Sequence, residues 1–130
     1  RDAVLSFVRY VIDELKLTPG FVTRNFPLFI RRMQEWEVDL ADVAVCAPFN
    51  KVGFQMNPSR VACEEALRSI NAGNIIAMSV LASGYLQPIE AIDYVRRLPN
   101  ISSIVAGSSN VEQAEETFRL LSRSFARNLG

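Results

Sequence analysis

Short apolar runs and amphipathic segments alternate four times along this chain. Each apolar run ends in a polar or glycine-rich turn, and apolar residues at helical spacing follow the turn. Strands joined by helices run parallel, because a parallel pair needs a long crossover between its two members. The pattern therefore predicts an α/β fold with a sequentially ordered parallel sheet and strands at Phe21–Thr23, Asp42–Ala47, Ile75–Leu81 and Ser102–Ala106.

The same pattern predicts the helices. The segment Asp2–Lys16 places its apolar residues on one stripe and its charged residues off it, so one helix precedes the first strand. Ser59 is a suitable N-cap for the third helix. The four helices that follow the strands are expected at Phe26–Glu37, Arg60–Asn71, Ile89–Leu98 and Val111–Phe125.

Four βα units are half of an eight-stranded barrel, which typically takes about 250 residues. We therefore predict that residues 1–130 form a single domain, the (βα)4 half of a TIM barrel, preceded by one helix. Arg1 is not a methionine, and a helix begins directly after it, so we expect this domain to belong to a longer (βα)8 chain.

Four strands alone leave an apolar concave face and two unpaired edges. We expect the chain to cover them either by self-association into a homo-oligomer or with an N-terminal half of the barrel. Alternation along the strands assigns residues to a face but leaves the register open. The candidates for inward positions, or their immediate neighbours, are Val22, Ala44, Cys46, Ile76, Met78 and Ile104.

The charged residues balance, with 14 basic and 14 acidic side chains. Zero net charge argues against a nucleic-acid partner or a membrane-surface role, since both need a concentrated basic field. No apolar run approaches the roughly 18 residues of a membrane span, and no secretory signal opens the chain. Cys46 and Cys63 lack CxxC spacing and are expected to be buried and reduced, so we predict a cytoplasmic protein without a metal site.

Small residues dominate the turns after the third and fourth strands, at Ser83–Gly84 and Gly107–Asn110. In α/β barrels, the loops after the last two strands and a helix N-terminus often bind phosphate, and small residues let the phosphate approach the backbone. We therefore consider a phosphate or pyrophosphate site here. The alternative is that the glycines only allow tight turns and that Ser109 or Asn110 caps the last helix.

The longest irregular stretch, Pro48–Pro58, follows the second strand, where the catalytic side chains of barrels gather. Lys51 in this loop is a weak catalytic candidate, because a desolvated lysine can form a Schiff base. A surface lysine is the favoured alternative. Arg24, Asn50 and Lys51 are also candidates for clamping an anionic substrate through charge-assisted hydrogen bonds.

Three segments carry a resemblance to a known family: Gly20–Phe26 (GFVTRNF), Ile76–Leu86 (IAMSVLASGYL) and Val105–Thr117 (VAGSSNVEQAEET). They resemble strands of the second half of the aldo-keto reductase barrel. That family carries G-x-S-N-F at its fifth strand, Y-S-P-L-x-x-G-x-L at its seventh and G-(S/T)-(S/T)-x-x-x-(Q/R)-(I/L)-x-E-N at its eighth. The resemblance spans the chain from Gly20 onward. Departures from the family pattern occur at Thr23, Arg24, Met78, Val80 and Thr117.

The resemblance implies an oxidoreductase-like barrel half that contributes a dinucleotide-binding face. It implies that Asn25 lies near the nicotinamide carboxamide and that Ser79 and Leu81 flank the pyrophosphate. It implies an adenosine end bordered by Gly107, Ser108, Gln113 and Glu116.

The cofactor implied is NAD or NADP. NAD is favoured, because the stretch Ser108–Glu116 contains no lysine or arginine to pair with a 2′-phosphate. The family's catalytic tyrosine, with its aspartate, lysine and histidine partners, belongs to the first half of its barrel. This chain contains no histidine. The resemblance therefore implies that the chain is not catalytic alone.

Three functions remain open: an aldo-keto reductase-like barrel half, a phosphate-ligand binding TIM-barrel domain of other or no activity, and a structural or assembly half-barrel. The first two predict a small phosphorylated or dinucleotide ligand at one shared site. Its predicted cofactor-binding residues are Asn25, Ser79, Leu81, Gly84, Gly107, Ser108, Ser109, Gln113 and Glu116. Its predicted substrate-binding residues are Arg24, Asn50 and Lys51.

Overall fold

Four parallel strands form a single sheet in the order β1-β2-β3-β4 in the computed structural model, which describes residues 1–71 and 73–125. The predicted parallel sheet in sequential order is therefore confirmed. The strands are β1 (Gly20–Val22), β2 (Ala44–Pro48), β3 (Asn74–Met78) and β4 (Ile101–Ile104).

One helix precedes β1, and one helix follows each strand, as the apolar periodicity predicts. The first helix ends in a π-helical turn, Tyr10–Glu14, and short 3₁₀ turns occur at Leu40–Asp42 and Ala82–Gly84. The α-helices are α1 (Asp2–Arg9), α2 (Phe26–Glu35), α3 (Arg60–Ser69), α4 (Pro88–Arg96) and α5 (Val111–Phe125). No helix in these ranges is long and apolar enough to cross a membrane.

Side-chain caps fix where α2 and α3 begin. The Ser59 hydroxyl accepts a hydrogen bond from the Ala62 N–H (3.2 Å), which confirms Ser59 as the N-cap of α3. Asn25 caps α2 in the same way, since its Oδ1 accepts a hydrogen bond from the Leu28 N–H (3.1 Å). Pro27 occupies the first turn of α2, where its missing N–H costs nothing.

The main core lies between one face of the sheet and the helices. Val45 and Ala47 of β2 and Ile75 and Ala77 of β3 are completely buried. They belong to one cluster with the helix residues Phe26, Ile30, Cys63, Leu67 and Val95. Because strand residues alternate between faces, every second position of β2 and β3 supplies this core.

The intervening strand residues lie on the opposite face of the sheet, and we call this the open face. Cys46, Ile76 and Met78 are half-buried there, whereas the Val22 side chain is 74% exposed. Crossovers that advance in one direction along a parallel sheet place all their helices on the same side, which leaves the other side uncovered. By register and alternation, the open face consists of Gly20, Val22, Ala44, Cys46, Pro48, Asn74, Ile76, Met78, Ser103 and Val105.

Ile104 itself does not lie on this face, and its neighbour Val105 takes the inward position, an alternative that the prediction left open. Ile104 pairs with Ala77, whose side chain is buried against the helices, and it packs against the main core. A register irregularity at Ile75/Ile76 changes the alternation of β4 relative to β3. The neighbouring Val105 therefore follows Met78 on the open face.

Most element ends differ from the prediction by one to three residues, and at two of them the backbone turns where the apolar pattern continues. β3 ends at Met78 rather than at Leu81, since Ser79 adopts a left-handed conformation (φ 53°). Similarly, α2 ends at Glu35, and Glu37 is left-handed (φ 56°). The apolar pattern indicates which residues are buried but not where the backbone turns, so it predicts both elements to be longer than they are.

Candidate functional site

A cleft of about 600 Å³ lies at the carboxyl ends of β3 and β4, and we call it the β3–β4 cleft. Its walls come from the β3–α4 turn, the β4–α5 turn and the loop after β2. Seven of the nine predicted cofactor-binding residues line it: Ser79, Leu81, Gly84, Gly107, Ser108, Ser109 and Gln113. The structure therefore brings together predicted residues from Ser79 to Gln113, which lie far apart in the sequence.

Glu116 lies beside this cleft. It lines a smaller hollow of about 200 Å³ that shares Leu81, Gly84, Gly107 and Gln113 with the larger one. The two hollows are therefore continuous around the start of α5. Their arrangement places a carboxylate one helical turn from the polar wall of the cleft.

The β3–α4 turn is built from unusual backbone conformations. Ser79 (φ 53°), Ala82 (φ 47°) and Ser83 (φ 60°) are all left-handed without being glycine. Such residues cost about 1–3 kcal/mol each unless the surroundings hold them in place. Here the buried side chains of Ala82 and Leu86 pack with Leu81 and anchor the turn. The turn is thereby held in a shape that lines the cleft.

Side-chain hydrogen bonds organise the β4–α5 turn. Asn110 Oδ1 accepts from the Gln113 N–H (2.9 Å), and the Gln113 Oε1 accepts from the Ser109 N–H (3.4 Å). The Ser108 hydroxyl donates to the Asn110 carbonyl (2.6 Å). Asn110 therefore caps α5, which confirms the alternative role that the sequence left open for it. The Ser108 and Gln113 side chains remain exposed at the cleft.

The walls of the cleft combine apolar side chains with hydroxyl and amide groups. Phe54, Val80 and Val105 contribute apolar surface, and Ser83 adds a hydroxyl to those of the predicted serines. None of the described residues that line the cleft is charged. Binding of an anion here would therefore depend on backbone N–H groups and hydroxyls, while the apolar walls suit an uncharged flat group.

The loop after β2 reaches the cleft through Phe54 and Gln55, which the sequence analysis did not single out. Asn50 holds this loop in place. Its side chain is completely buried, its Nδ2 donates to the Phe54 carbonyl (2.8 Å), and its Oδ1 accepts from the Phe54 N–H (2.7 Å). The Asn50 amide is thus engaged within the loop. A polar residue two positions after a buried strand was the available signal for this bracing role.

Asn25 and Arg24 lie outside the cleft lining. The Asn25 side chain caps α2, and its backbone N–H donates to the Thr23 hydroxyl (3.1 Å). The Arg24 carbonyl accepts from the Asn57 N–H (2.9 Å), which joins the β1–α2 turn to the loop after β2. Both residues follow the carboxyl end of β1, as predicted, but their polar bonds organise the backbone.

Lys51 lies at a different hollow, between the loop after β2 and α4. Its ammonium group forms an ion pair with Glu90, and its carbonyl accepts a hydrogen bond from Arg60. The Lys51 side chain is 51% exposed. It is therefore a surface lysine in a surface ion pair, and it does not join the residues of the β3–β4 cleft.

Neither cysteine forms a disulfide. Burial raises the pKa of the half-buried Cys46 thiol on the open face, and burial likewise raises the pKa of the Cys63 thiol. Both side chains are consequently thiols at neutral pH and poor nucleophiles. Across residues 1–71 and 73–125, no three Cys, Asp or Glu side chains gather as a metal site would require.

The geometry of the cleft rests on two turns and one loop, each held by contacts of this chain's own residues. These contacts are the Asn110 cap, the buried Asn50 amide and the packing of Leu86.

No protein-family model, no curated protein and no solved structure matches this chain.

Proposed function

We propose that this chain is the (βα)4 half of a TIM-type barrel and that its β3–β4 cleft binds the phosphate-bearing part of a dinucleotide, in the manner of an aldo-keto reductase. The observation that carries the proposal is the convergence of Ser79, Gly84, Gly107 and Ser108 on one cleft. In parallel α/β proteins, ligands bind at the carboxyl ends of the strands, where this cleft lies.

The open space next to the backbone of the two turns supports a phosphate as the bound group. A Cβ atom built on Gly107 or on Gly84 would meet nothing within 4 Å, so both positions border open space. The Ser108 and Ser109 residues next to Gly107 are exposed and carry hydroxyl donors. A phosphate at this place could therefore approach the backbone closely and receive hydrogen bonds from hydroxyl and N–H groups.

The absence of charged lining residues favours a nucleotide over a simple phosphate. Without lysine or arginine among the described lining residues, phosphate contacts alone supply little binding energy. The apolar walls formed by Phe54, Leu81 and Val105 offer surface for an adenine or a ribose. The ligand that fits this combination is a dinucleotide or another adenosine phosphate.

The proposed cofactor is NAD rather than NADP. No cation lies between Ser108 and Glu116 to pair with a 2′-phosphate, and the Glu116 carboxylate lines the adjoining hollow. A 2′-phosphate near that carboxylate would be repelled. The proposal concerns the pyrophosphate and adenosine parts of the cofactor, because Asn25 caps α2 instead of lining the cleft.

Isothermal titration calorimetry with NAD, NADP, ADP-ribose, a sugar phosphate and inorganic phosphate tests this function. We expect NAD and ADP-ribose to bind with similar affinity and NADP to bind more weakly. A sugar phosphate that binds more tightly than ADP-ribose would favour the alternative of a different phosphate ligand. If none of these compounds binds, the chain is a structural half-barrel.

A matched pair of variants locates the site. Ser108→Asp places a carboxylate in the cleft, whereas Ser122→Asp places the same charge on the exposed surface of α5. We expect Ser108→Asp to weaken ADP-ribose binding by about tenfold or more, equivalent to about 1.4 kcal/mol, because like charges repel. Equal binding by both variants would contradict the assignment of the cleft.

A further inference from the structure

The sheet ends in two unpaired parallel edges. Among the residues that the structure describes, β1 pairs only with β2 and β4 pairs only with β3. Each outer edge carries a row of backbone N–H and C=O groups that can pair with another strand. Because all four strands run in the same direction, both edges offer parallel pairing.

An apolar groove accompanies the β4 edge. It has a volume of about 400 Å³ and lies between β4 and α5, lined by Ile101, Ile104, Phe118, Leu121 and Phe125 together with two serines. Phe118 is 52% exposed. An apolar groove of this kind, next to an unpaired strand, can bury the apolar face of another helix.

Exposed apolar side chains accompany the β1 edge. Phe7 of α1 contacts Phe21 of β1 (ring centroids 5.6 Å apart), so α1 packs over this strand, yet Phe7 remains 44% exposed. Tyr10 in the following turn is 57% exposed, and Val22 at the end of β1 is 74% exposed. The β4 edge of the sheet therefore carries an apolar groove, and the β1 edge carries a helix whose exposed apolar side chains can fill such a groove.

We propose that a second copy of this chain closes the sheet into an eight-stranded barrel. In this dimer, β1 of each copy pairs with β4 of the other, and α1 of each copy packs into the groove between β4 and α5 of the other. We call the two junctions between β1 of one copy and β4 of the other the seams. A two-fold axis along the barrel preserves strand direction, so both seams are parallel and equivalent.

The number of strands and the chemistry of the open face favour a second copy of this chain as the partner. Two sheets of four strands make eight, the number at which side chains just fill a barrel interior. The open-face residues carry no charge, and Asn74 and Ser103 are the polar side chains among them, so the same face can meet a second copy of itself without burying like charges. Val22, Ile76 and Met78 would form part of the shared interior.

A stable protein–protein interface buries about 800 Å² per partner and involves about 20–30 residues on each side. Here the contact draws on α1, β1, the open face, β4 and α5 of each copy. This inference is independent of the proposed ligand, since the residues of the seams are not those of the β3–β4 cleft, apart from Met78 and Val105.

Sedimentation velocity over a range of protein concentrations tests the dimer, with two variants and a control. Val22→Glu places a charge inside the proposed barrel, and Phe118→Glu places one in the groove. Val61→Glu changes a residue of α3 that is similarly exposed (57%) but lies outside the proposed interface. We expect a dimer for the unaltered chain and for Val61→Glu, and a dissociation constant about 100-fold weaker for the other two variants, because they bury an unpaired charge.

Hydrogen–deuterium exchange of the unaltered chain provides a measurement that needs no variant. The proposed seams predict that the amides of β1 and β4 become less protected on dilution below the dissociation constant, while those of β2 and β3 stay protected. A monomer at every concentration, an assembly larger than two copies, or a dimer in which β1 and β4 exchange freely would each overturn the proposal. A dimer dissociated by Val61→Glu but not by Val22→Glu would also overturn it.

Discussion

The Tyr94 hydroxyl of α4 donates a hydrogen bond 2.8 Å long to Glu64 Oε1 of α3, and this bond joins the two neighbouring helices. The Glu64 side chain is only 16% exposed and also forms ion pairs with Arg60 (3.4 Å) and Arg68 (3.2 Å). Burial raises the pKa of Tyr94 well above its usual range, and the hydrogen bond to Glu64 raises it further. Tyr94 is therefore a neutral donor in a small, partly buried network.

Replacing Tyr94 with phenylalanine removes this donor but retains the ring. We expect Tyr94→Phe to lower the free energy of unfolding by about 1 kcal/mol, the usual contribution of one hydrogen bond, because two arginines still neutralise Glu64. Urea denaturation measures the change. Tyr85→Phe is the control, since Tyr85 is 79% exposed, and an equal loss in both variants would contradict the role of the bond.

The raised pKa of Tyr94 predicts a pH dependence of stability. In the unfolded chain a tyrosine loses its proton near pH 10, whereas folded Tyr94 retains its proton at that pH. The unfolded state then binds fewer protons, so stability falls as pH rises above about 10. We expect a smaller fall for Tyr94→Phe than for the unaltered chain in this range. The raised pKa values of Cys46 and Cys63 add a loss that is common to both proteins.

Asn50→Ala tests the bracing of the loop after β2. This change leaves the Phe54 N–H and carbonyl without their buried partner, so we expect a loss of about 2–3 kcal/mol in the free energy of unfolding. Hydrogen exchange of residues 50–56 should also become faster. Asn74→Ala, at an exposed asparagine, serves as the control. Unchanged exchange in the loop would show that other contacts hold Phe54.

Two substitutions at Asn25 separate a helix cap from a ligand contact. Asn25→Asp retains an acceptor for the Leu28 N–H, whereas Asn25→Ala does not. We expect only Asn25→Ala to lower stability, by about 1 kcal/mol. If Asn25→Asp retains stability but binds NAD more weakly than it binds ADP-ribose, then Asn25 contacts the nicotinamide half of the cofactor.

Gly107→Ala tests the cleft with little effect on the fold. The added methyl group meets nothing within 4 Å, so we expect stability to be unchanged or raised by about 0.5 kcal/mol, while ADP-ribose binding becomes weaker. Gly20→Ala, where the space is also free, should leave binding unchanged. Gly84→Ala should destabilise the chain by about 1 kcal/mol, because φ is +85° there. Full ADP-ribose binding by Gly107→Ala would contradict a ligand at this backbone.

The sequence was sufficient to predict the sheet but not its exact limits. Apolar periodicity identified every strand and α-helix, because each element buries one face and this burial determines both the sequence pattern and the packing. It could not identify the left-handed Ser79, which ends β3 while Val80 and Leu81 continue the apolar run. It also could not predict the irregular pairing that turns Ile104 toward the helices, because pairing register depends on contacts between strands.

The position of the cleft followed from the sequence more readily than the roles of single residues. Parallel strands bring their carboxyl ends together, so Ser79 and Gly107 meet whatever their neighbours are. By contrast, Asn50 and Asn25 are engaged by backbone groups a few residues away. Such local hydrogen bonds are common for asparagine, and residue type alone does not separate them from ligand contacts.

The β3–β4 cleft is confined to the chain between Met78 and Gln113, apart from Phe54 and Gln55. The first βα unit and α1 contribute no residue to its walls; they supply the core and the outer edge of the sheet, and the Arg24 carbonyl binds the loop after β2. These two parts of the chain are therefore free to change at different rates. Substitutions in the first βα unit can therefore leave the cleft walls intact, and a graft of the last two βα units into another α/β sheet would carry every wall residue except Phe54 and Gln55.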